Sequence, residues 1–240
     1  MSTLVSLVGR HALVTGASRG IGRAIARAFA IAGARVTLVA RGVEALHDAA
    51  REIGPNATVA ACDLCDAFAV AKLGAALQAR SAMPEIIVNN AGLFPLSPLD
   101  EMDPHTFEQT VQSNLIAPFF LLRALLPSMK ARKSGHVVTV GSVADRNIMS
   151  GNGAYSASKF GQRAMHEVLR VELRGTGVRA TLVSPAATDT SIWDAIDPDN
   201  TPGFPSRASM LKPDDVADAV LWAVTRPAHV NVDELRIASA

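Results

Sequence analysis

The sequence has few of the residues and patterns that mark several classes of protein. Only two of its 240 residues are cysteines, too few for a disulfide framework or a four-cysteine zinc site. Cys62 and Cys65 have a Cys-x-x-Cys spacing, but nothing around them fits a thioredoxin-like fold, so we expect small packing residues near a strand end. The six histidines are scattered, and no metal site is predicted.

Charge of one sign and long apolar runs are also lacking. The formal net charge is +1, which gives no bulk electrostatic reason to bind nucleic acid or an acidic membrane. No apolar run reaches the ~18 residues of a membrane span, and residues 1–10 lack the features of a signal peptide. With 49% hydrophobic residues, the chain reads as a folded cytoplasmic protein.

Short apolar runs alternate with helix-like segments along the whole chain, and no linker or repeat divides it. These runs are short and mostly apolar without alternation, which is typical of parallel strands covered on both faces. Repeated strand–helix–strand units predict one doubly wound α/β domain over residues 1–240. The strand candidates are residues 11–15, 35–40, 57–61, 86–89, 136–141, 179–183 and 234–237.

One segment, residues 186–211, breaks this rhythm. It contains Pro198, Pro202, Gly203 and Pro205 and has no long periodic run. Because it leaves the carboxyl end of a strand, where ligands bind in such sheets, we expect a substrate lid.

A glycine-rich turn follows the first strand and opens the first helix. Glycines let backbone N–H groups approach a pyrophosphate, and a helix N-terminus favours negative charge. The spacing is Gly-x-x-x-Gly-x-Gly rather than the commoner Gly-x-Gly-x-x-Gly. The residues predicted to bind phosphate here are Gly16, Ser18, Arg19, Gly20, Ile21 and Gly22.

The end of the second strand indicates which nucleotide is bound. An NAD site usually presents a carboxylate there to the ribose hydroxyls, but this chain has Arg41 and no acid. Arg41 and Arg19 would bind a 2′-phosphate, because guanidinium groups match phosphate oxygens and stay charged. NADP is therefore the predicted cofactor.

Further motifs, in order and spacing, make the sequence resemble the short-chain dehydrogenase/reductase family over nearly its whole length. They are Asp63 after the third strand, Asn89-Asn90-Ala91-Gly92 after the fourth, Asn114, Ser142, Tyr155-Ser156-Ala157-Ser158-Lys159, and Ser184-Pro185. The resemblance implies a Rossmann-like, seven-stranded parallel sheet in the order 3-2-1-4-5-6-7, with helices on both faces.

The resemblance also implies site residues at matching positions. Ala186 stands where the family usually has glycine, and its methyl group would narrow the nicotinamide pocket or shift the lid. Besides the glycine loop and Arg41, the implied cofactor-binding residues are Asp63, Leu64, Asn90, Ala91, Gly92, Tyr155, Lys159, Pro185, Ala186, Thr188 and Thr190.

Tyr155, the only tyrosine, and Lys159 lie four residues apart on a predicted helix, so they share one face. A nearby ammonium stabilises a phenolate, and we expect it to lower the tyrosine pKa from its reference value of ~10. Tyr155 is the expected acid/base. The resemblance implies that Ser142 bonds the substrate oxygen, that Lys159 also bonds the nicotinamide ribose, and that Asn114 anchors a water leading to solvent.

The expected function is hydride transfer between NADP(H) and a carbonyl or secondary alcohol, with 3-oxoacyl thioesters or 3-hydroxy acids as candidate substrates. Leu93, Phe94, Val143, Met149 and Trp193 are expected near the substrate. The family implies a homodimer or homotetramer, paired through helices near residues 103–129 and 155–174. Two alternatives remain: an epimerase or dehydratase using the same site, and a non-enzymatic nucleotide-sensing regulator.

Overall fold

The computed structural model describes residues 6–240, in which strands and helices alternate. The strands are β1 (His11–Thr15), β2 (Arg35–Ala40), β3 (Ala57–Ala61), β4 (Ile86–Asn89), β5 (Gly135–Val140), β6 (Val178–Pro185) and β7 (Glu234–Ile237). The helices are α1 (Gly20–Ile31), α2 (Val43–Ile53), α3 (Ala67–Ala79), α4 (Pro104–Val111), α5 (Ala117–Ala131), α6 (Gly153–Glu172) and α7 (Pro213–Val224).

The seven strands form one parallel sheet in the order β3-β2-β1-β4-β5-β6-β7, which confirms the expected topology. The chain builds outward from β1 to β3 and then returns to place β4 on the other side of β1. Strand order therefore reverses between β1 and β4, and the connections leave their carboxyl ends in opposite directions. A crevice opens at such a point.

Helices cover both faces of the sheet and explain why most of its strands are apolar without alternation. Val14 of β1 packs in the core beneath α1, α2 and α7, whereas the preceding Leu13 packs in the core beneath α3, α5 and α6. Successive strand residues point to opposite faces, so both must be apolar when both faces are buried. Among residues 6–240, no helix combines the length and apolarity required for a membrane span.

The structure refines three local expectations. A π-helical turn, Gln112–Ile116, joins α4 to α5, so Asn114 lies in this widened turn and not in a regular helix. Strand β6 extends through Pro185, two residues beyond the expected end. The predicted lid contains only two short 3-10 turns, Ser191–Trp193 and Arg207–Ser209, because its prolines and polar residues give no helical face.

Candidate active site

A cleft of about 820 Å³ lies at the carboxyl ends of the central strands. It runs from the glycine-rich turn after β1 to the N-terminal part of α6. Most of the predicted cofactor-binding residues line this one cleft. They are Gly16, Ser18, Arg19, Gly20, Ile21, Arg41, Asp63, Leu64, Asn90, Ala91, Gly92, Tyr155, Lys159 and Thr190.

The turn after β1 requires glycines for two reasons: its backbone conformation and the close approach of neighbouring atoms. Gly16 and Gly20 have φ values of +65° and +54°, in the left-handed region that favours glycine. A Cβ atom on Gly22 would lie 2.4 Å from the Gly16 carbonyl oxygen, so a side chain at this position would clash with the turn. Gly22 does not line the cleft. The turn brings backbone to the cleft wall and starts α1 there.

Hydrogen bonds between β1 and β4 fix the floor of the cleft. The Thr15 hydroxyl accepts from the backbone N–H groups of Asn90 (2.9 Å) and Ala91 (3.1 Å) and donates to the Val88 carbonyl. The Asn90 side chain donates to the Thr15 carbonyl at 2.9 Å. Asn90 thus holds the two strand ends together, and this contact leaves its carboxamide oxygen for a ligand.

One end of the cleft is positively charged and open to solvent. Arg19 and Arg41 are exposed there, and neither takes part in an ion pair within residues 6–240. The Asp63 carboxylate accepts from the Cys65 backbone N–H at 3.0 Å. Cys65 and Cys62 are free thiols, and burial together with the charge of Asp63 raises the pKa of both. Neither thiol is therefore activated as a nucleophile.

The other end holds the predicted catalytic residues. Tyr155 and Lys159 lie one turn apart on α6, and the Lys159 Nζ atom is 5.7 Å from the centre of the Tyr155 ring. Lys159 is only 4% exposed and donates to the Val140 carbonyl at 3.0 Å. The Ser142 hydroxyl follows β5, accepts from the Ala144 backbone N–H at 3.1 Å, and lies close enough to Tyr155 to influence its pKa.

Burial dominates the ionisation of both α6 residues. It raises the pKa of Tyr155 to about 12, against an opposing contribution from the nearby Ser142 hydroxyl, and the Asp145 charge raises it further. Burial also lowers the pKa of Lys159 to about 8, while Asp145 opposes that change. The expected lowering of the Tyr155 pKa is therefore wrong for this structure, because desolvation of the phenolate raises that pKa.

Asn114 is hydrogen-bonded both to the loop after β4 and to α6. Its side-chain oxygen accepts from the Leu93 backbone N–H at 2.7 Å, and its side-chain nitrogen donates to the Leu93 carbonyl at 2.9 Å. The same nitrogen donates to the Ser158 hydroxyl at 3.0 Å. The side chain of Asn114, in the π-helical turn, thus joins the loop after β4 to α6.

Residues after β6 divide into buried and cleft-lining sets. Thr190 lines the cleft beside Gly20, with a methyl carbon 3.2 Å from where a Gly20 Cβ would lie. Thr188 is buried, and its hydroxyl donates to the Ala186 carbonyl at 3.0 Å. Pro185, Ala186 and Thr188 do not line the cleft in this structure. The Thr188 hydroxyl is thus used within the segment, and its contact with a cofactor stays a prediction.

An aromatic cluster lies over Tyr155. The Phe94 ring meets the Tyr155 ring edge-on at 4.6 Å between centroids, and meets Trp193 at 5.1 Å. Phe204 packs on Trp193 at 6.0 Å. The Trp193 indole N–H donates to the Thr188 carbonyl at 3.0 Å, so its one polar atom is used internally. Residues 193 and 204 of the predicted lid thereby make an apolar wall near the phenol.

Two polar residues at this end were not predicted from the sequence. Asp145 is buried behind Ser142, and one of its carboxylate oxygens accepts from the Ser184 hydroxyl at 2.7 Å. Gln162 is buried on α6 and accepts from Lys159 at 3.0 Å. The signal for Gln162 was present: it lies three residues after Lys159, on a helix face that should otherwise be apolar.

Comparison with known proteins agrees with this geometry. The family model for short chain dehydrogenases matches residues 10–201. The chain is 36% identical over 240 residues to glycine betaine reductase ATRR of Emericella nidulans, covering 96% of this chain but only 19% of that protein. An uncharacterized oxidoreductase of Staphylococcus aureus is 32% identical over 232 residues, covering 96% of this chain and 97% of the relative.

A solved structure extends the similarity to the fold. A metagenomic short-chain oxidoreductase, crystallised in complex with NADP, is 37% identical and superposes with a TM-score of 0.83. The alignment covers 96% of this chain and 97% of the other. The strand order, the glycine turn and the Tyr155–Lys159 pair are thus accompanied by full-length similarity, and the chain belongs to the short-chain dehydrogenase/reductase family as one of its oxidoreductases.

Proposed function

We propose that the protein is an NADP(H)-dependent oxidoreductase that interconverts a carbonyl compound and a secondary alcohol, with Tyr155 as general acid/base. One observation supports this above the others: a single cleft joins the glycine turn and two arginines to Tyr155 and Lys159. A nucleotide bound along that cleft would have its phosphates at one end and the reacting atoms beside the phenol.

The residues present fit NADP better than NAD. The turn after β1 supplies backbone and a helix N-terminus for a pyrophosphate. Arg19 and Arg41, exposed at the cleft, offer two permanent positive charges for a 2′-phosphate. No carboxylate stands at the end of β2, over residues 39–42, where a ribose-binding acid would be needed. The similar metagenomic enzyme was crystallised with NADP, which adds to the proposal.

Bound NADPH would supply the hydride that the protein's own side chains cannot provide. Tyr155, with a pKa raised to about 12, holds its proton at neutral pH and donates it to the substrate oxygen. Ser142, which lies beside Tyr155, would donate a hydrogen bond from its hydroxyl to that oxygen as negative charge develops. Lys159, charged below about pH 8, favours the phenolate that remains.

The surroundings of Tyr155 favour a substrate with an apolar portion. Phe94 and Trp193 form an aromatic wall there, and residues 186–211 act as the lid that bears Trp193. Arg207, a cation of this lid, is bound by the carboxylates of Asp189 and Asp194. A substrate carboxylate would have to compete with both. Of the two candidate classes, 3-oxoacyl thioesters therefore suit the wall better than free 3-hydroxy acids.

We also infer self-association through α5 and α6. Phe119 on α5 and Val168 and Val171 on α6 are large apolar side chains with about half of their surface exposed (46%, 57% and 53%). Burial of such side chains against a second copy would remove them from water. Sedimentation equilibrium tests this inference, since Val168→Glu should shift a dimer or tetramer toward monomer.

The direct test is NADPH oxidation, followed with NADH in parallel, across ketones, aldehydes, 3-oxo acids and 3-oxoacyl thioesters. Turnover of one class with NADPH preferred is the expected result. Epimerisation or dehydration of a substrate without net NADPH consumption would contradict the proposal. So would tight NADPH binding without turnover of any class, which a nucleotide-sensing regulator would show.

A further inference from the structure

A glutamine side chain is buried directly behind the catalytic lysine. Gln162 is 1% exposed and lies one turn beyond Lys159 on α6. The Lys159 Nζ atom donates to the Gln162 Oε1 atom at 3.0 Å and to the Val140 carbonyl at 3.0 Å. Two of the three ammonium N–H bonds are thus taken by fixed oxygens of β5 and α6, and one remains for the cleft.

The orientation of the Gln162 carboxamide follows from chemistry. An ammonium has only donors, so the atom that faces Lys159 must be the carboxamide oxygen. The Gln162 Nε2 atom is buried and has no hydrogen-bond partner within residues 6–240. A buried amide nitrogen without a partner destabilises the fold, and an apolar side chain would avoid that cost. The oxygen's bond to Lys159 is therefore what distinguishes glutamine from an apolar residue here.

We propose that Gln162 is a positioning residue, which holds the Lys159 ammonium in its charged form and directs its remaining N–H bond into the cleft. This role rests on the proposed function, in which Lys159 supports Tyr155. The other ionisable groups facing Lys159 are Tyr155, on the same helix, and Asp145, from the turn after β5. The Val140 carbonyl and Gln162 are the neutral groups that bond it directly.

The chain is well suited to a direct measurement, because it has only five lysines. Lys159 is buried, whereas Lys72, Lys130, Lys133 and Lys212 are exposed. Selective ¹³C labelling of lysine Cε would give five NMR signals, and Lys159→Met identifies the one from Lys159. Its titration reports protonation in the enzyme alone, without substrate or turnover.

Two variants of Gln162 should shift the pKa of Lys159 in opposite directions. Gln162→Met keeps the length of the side chain but removes the oxygen, whereas Gln162→Glu keeps an oxygen and adds a negative charge. The Lys159 titration, near pH 8 in the wild type, should fall by about one to two pH units in Gln162→Met, the size expected for losing a hydrogen bond to a charged group. It should rise in Gln162→Glu. Gln78→Met, the same change at an exposed position of α3, should leave it unmoved.

The rate of reduction should follow the titration. Because the mechanism requires charged Lys159, kcat/KM should fall as pH rises through the Lys159 midpoint, earlier in Gln162→Met and later in Gln162→Glu. Unmoved Lys159 titrations in both variants would overturn the proposal, and if Gln162→Met does not fold, Gln162→Glu decides alone. Opposite shifts in a protein that reduces no carbonyl would support the role of Gln162 and refute the proposed function instead.

Discussion

The two ends of the cleft are built on different physical principles. At one end, the proposed nucleotide end, backbone groups of the glycine turn and the exposed side chains of Arg19 and Arg41 face the cleft. At the other end, the proposed catalytic end, Lys159 is buried, and burial shifts the pKa of both Lys159 and Tyr155. Asp145 and Gln162, also buried, surround them.

This difference indicates a division of labour. Exposed guanidinium groups remain charged at every relevant pH and bind an anion without a demanding environment. Groups that exchange protons need a controlled environment, and burial provides it by making the charged forms costly. Changes at the nucleotide end should therefore alter affinity and cofactor choice, whereas changes at the catalytic end should alter rate and its pH dependence.

After Tyr155, the largest effect on rate is expected at Ser142. Ser142→Ala removes a hydroxyl donor beside Tyr155 and should lower kcat by about 10²–10³, the usual cost of losing one donor to a developing oxyanion. NADPH affinity, measured by fluorescence titration, should change little. Ser191→Ala, at the exposed edge of the same cleft, is the control. An equal loss of rate in both variants would contradict a specific role for Ser142.

A smaller effect, confined to affinity, is expected at Arg41. Arg41→Ala should weaken NADPH binding about 10- to 100-fold through loss of a charged hydrogen bond to phosphate, and should leave NADH binding nearly unchanged. Isothermal titration calorimetry with both nucleotides measures this. Arg51→Ala removes an exposed α2 arginine that pairs with Asp48 and should affect neither nucleotide. Equal weakening of NADPH and NADH by Arg41→Ala would rule out the 2′-phosphate contact.

The smallest expected effect concerns stability, at a buried residue that takes no part in the proposed catalysis. Burial lowers the pKa of His166 to about 4, and this residue, bonded to the Thr139 hydroxyl at 2.9 Å, lies outside the cleft lining. A depressed folded pKa gives stability that is present above about pH 6.5 and is lost as pH falls toward 4. Unfolding in urea should show His166→Gln losing less stability than wild type between pH 7 and 4.5, by on the order of 2 kcal/mol. Equal losses would contradict a neutral buried His166.

The sheet was predictable because most strands are apolar on both faces and each is bounded by a clear break. β1 through β4 have the expected bounds, whereas β6 runs on to Pro185, since a proline at a strand end does not by itself stop pairing. The π-helical turn around Asn114 was not predictable. Its residues continue the helical pattern, and only packing against α6 reveals the extra residue.

The candidate site was predictable where a residue type is itself informative. Glycines after a strand, an arginine in place of an acid, and a tyrosine four residues before a lysine each indicate chemistry. Such motifs do not show which side chains become buried. The raised pKa of Tyr155 and the partnership of Lys159 with Gln162 depend on which side chains the folded helix turns toward β5. The hydrogen bond from the Thr188 hydroxyl to the Ala186 carbonyl is of the same kind.

The proposed function requires the nucleotide end of the cleft to bind NADPH and Tyr155 to transfer the proton. The most direct test is Tyr155→Phe, with NADPH binding and single-turnover carbonyl reduction followed on the same sample. We expect NADPH affinity to stay within a few-fold of wild type, while the rate of reduction falls by about 10²–10⁴, the usual contribution of a general acid. Reduction at the wild-type rate would contradict the account.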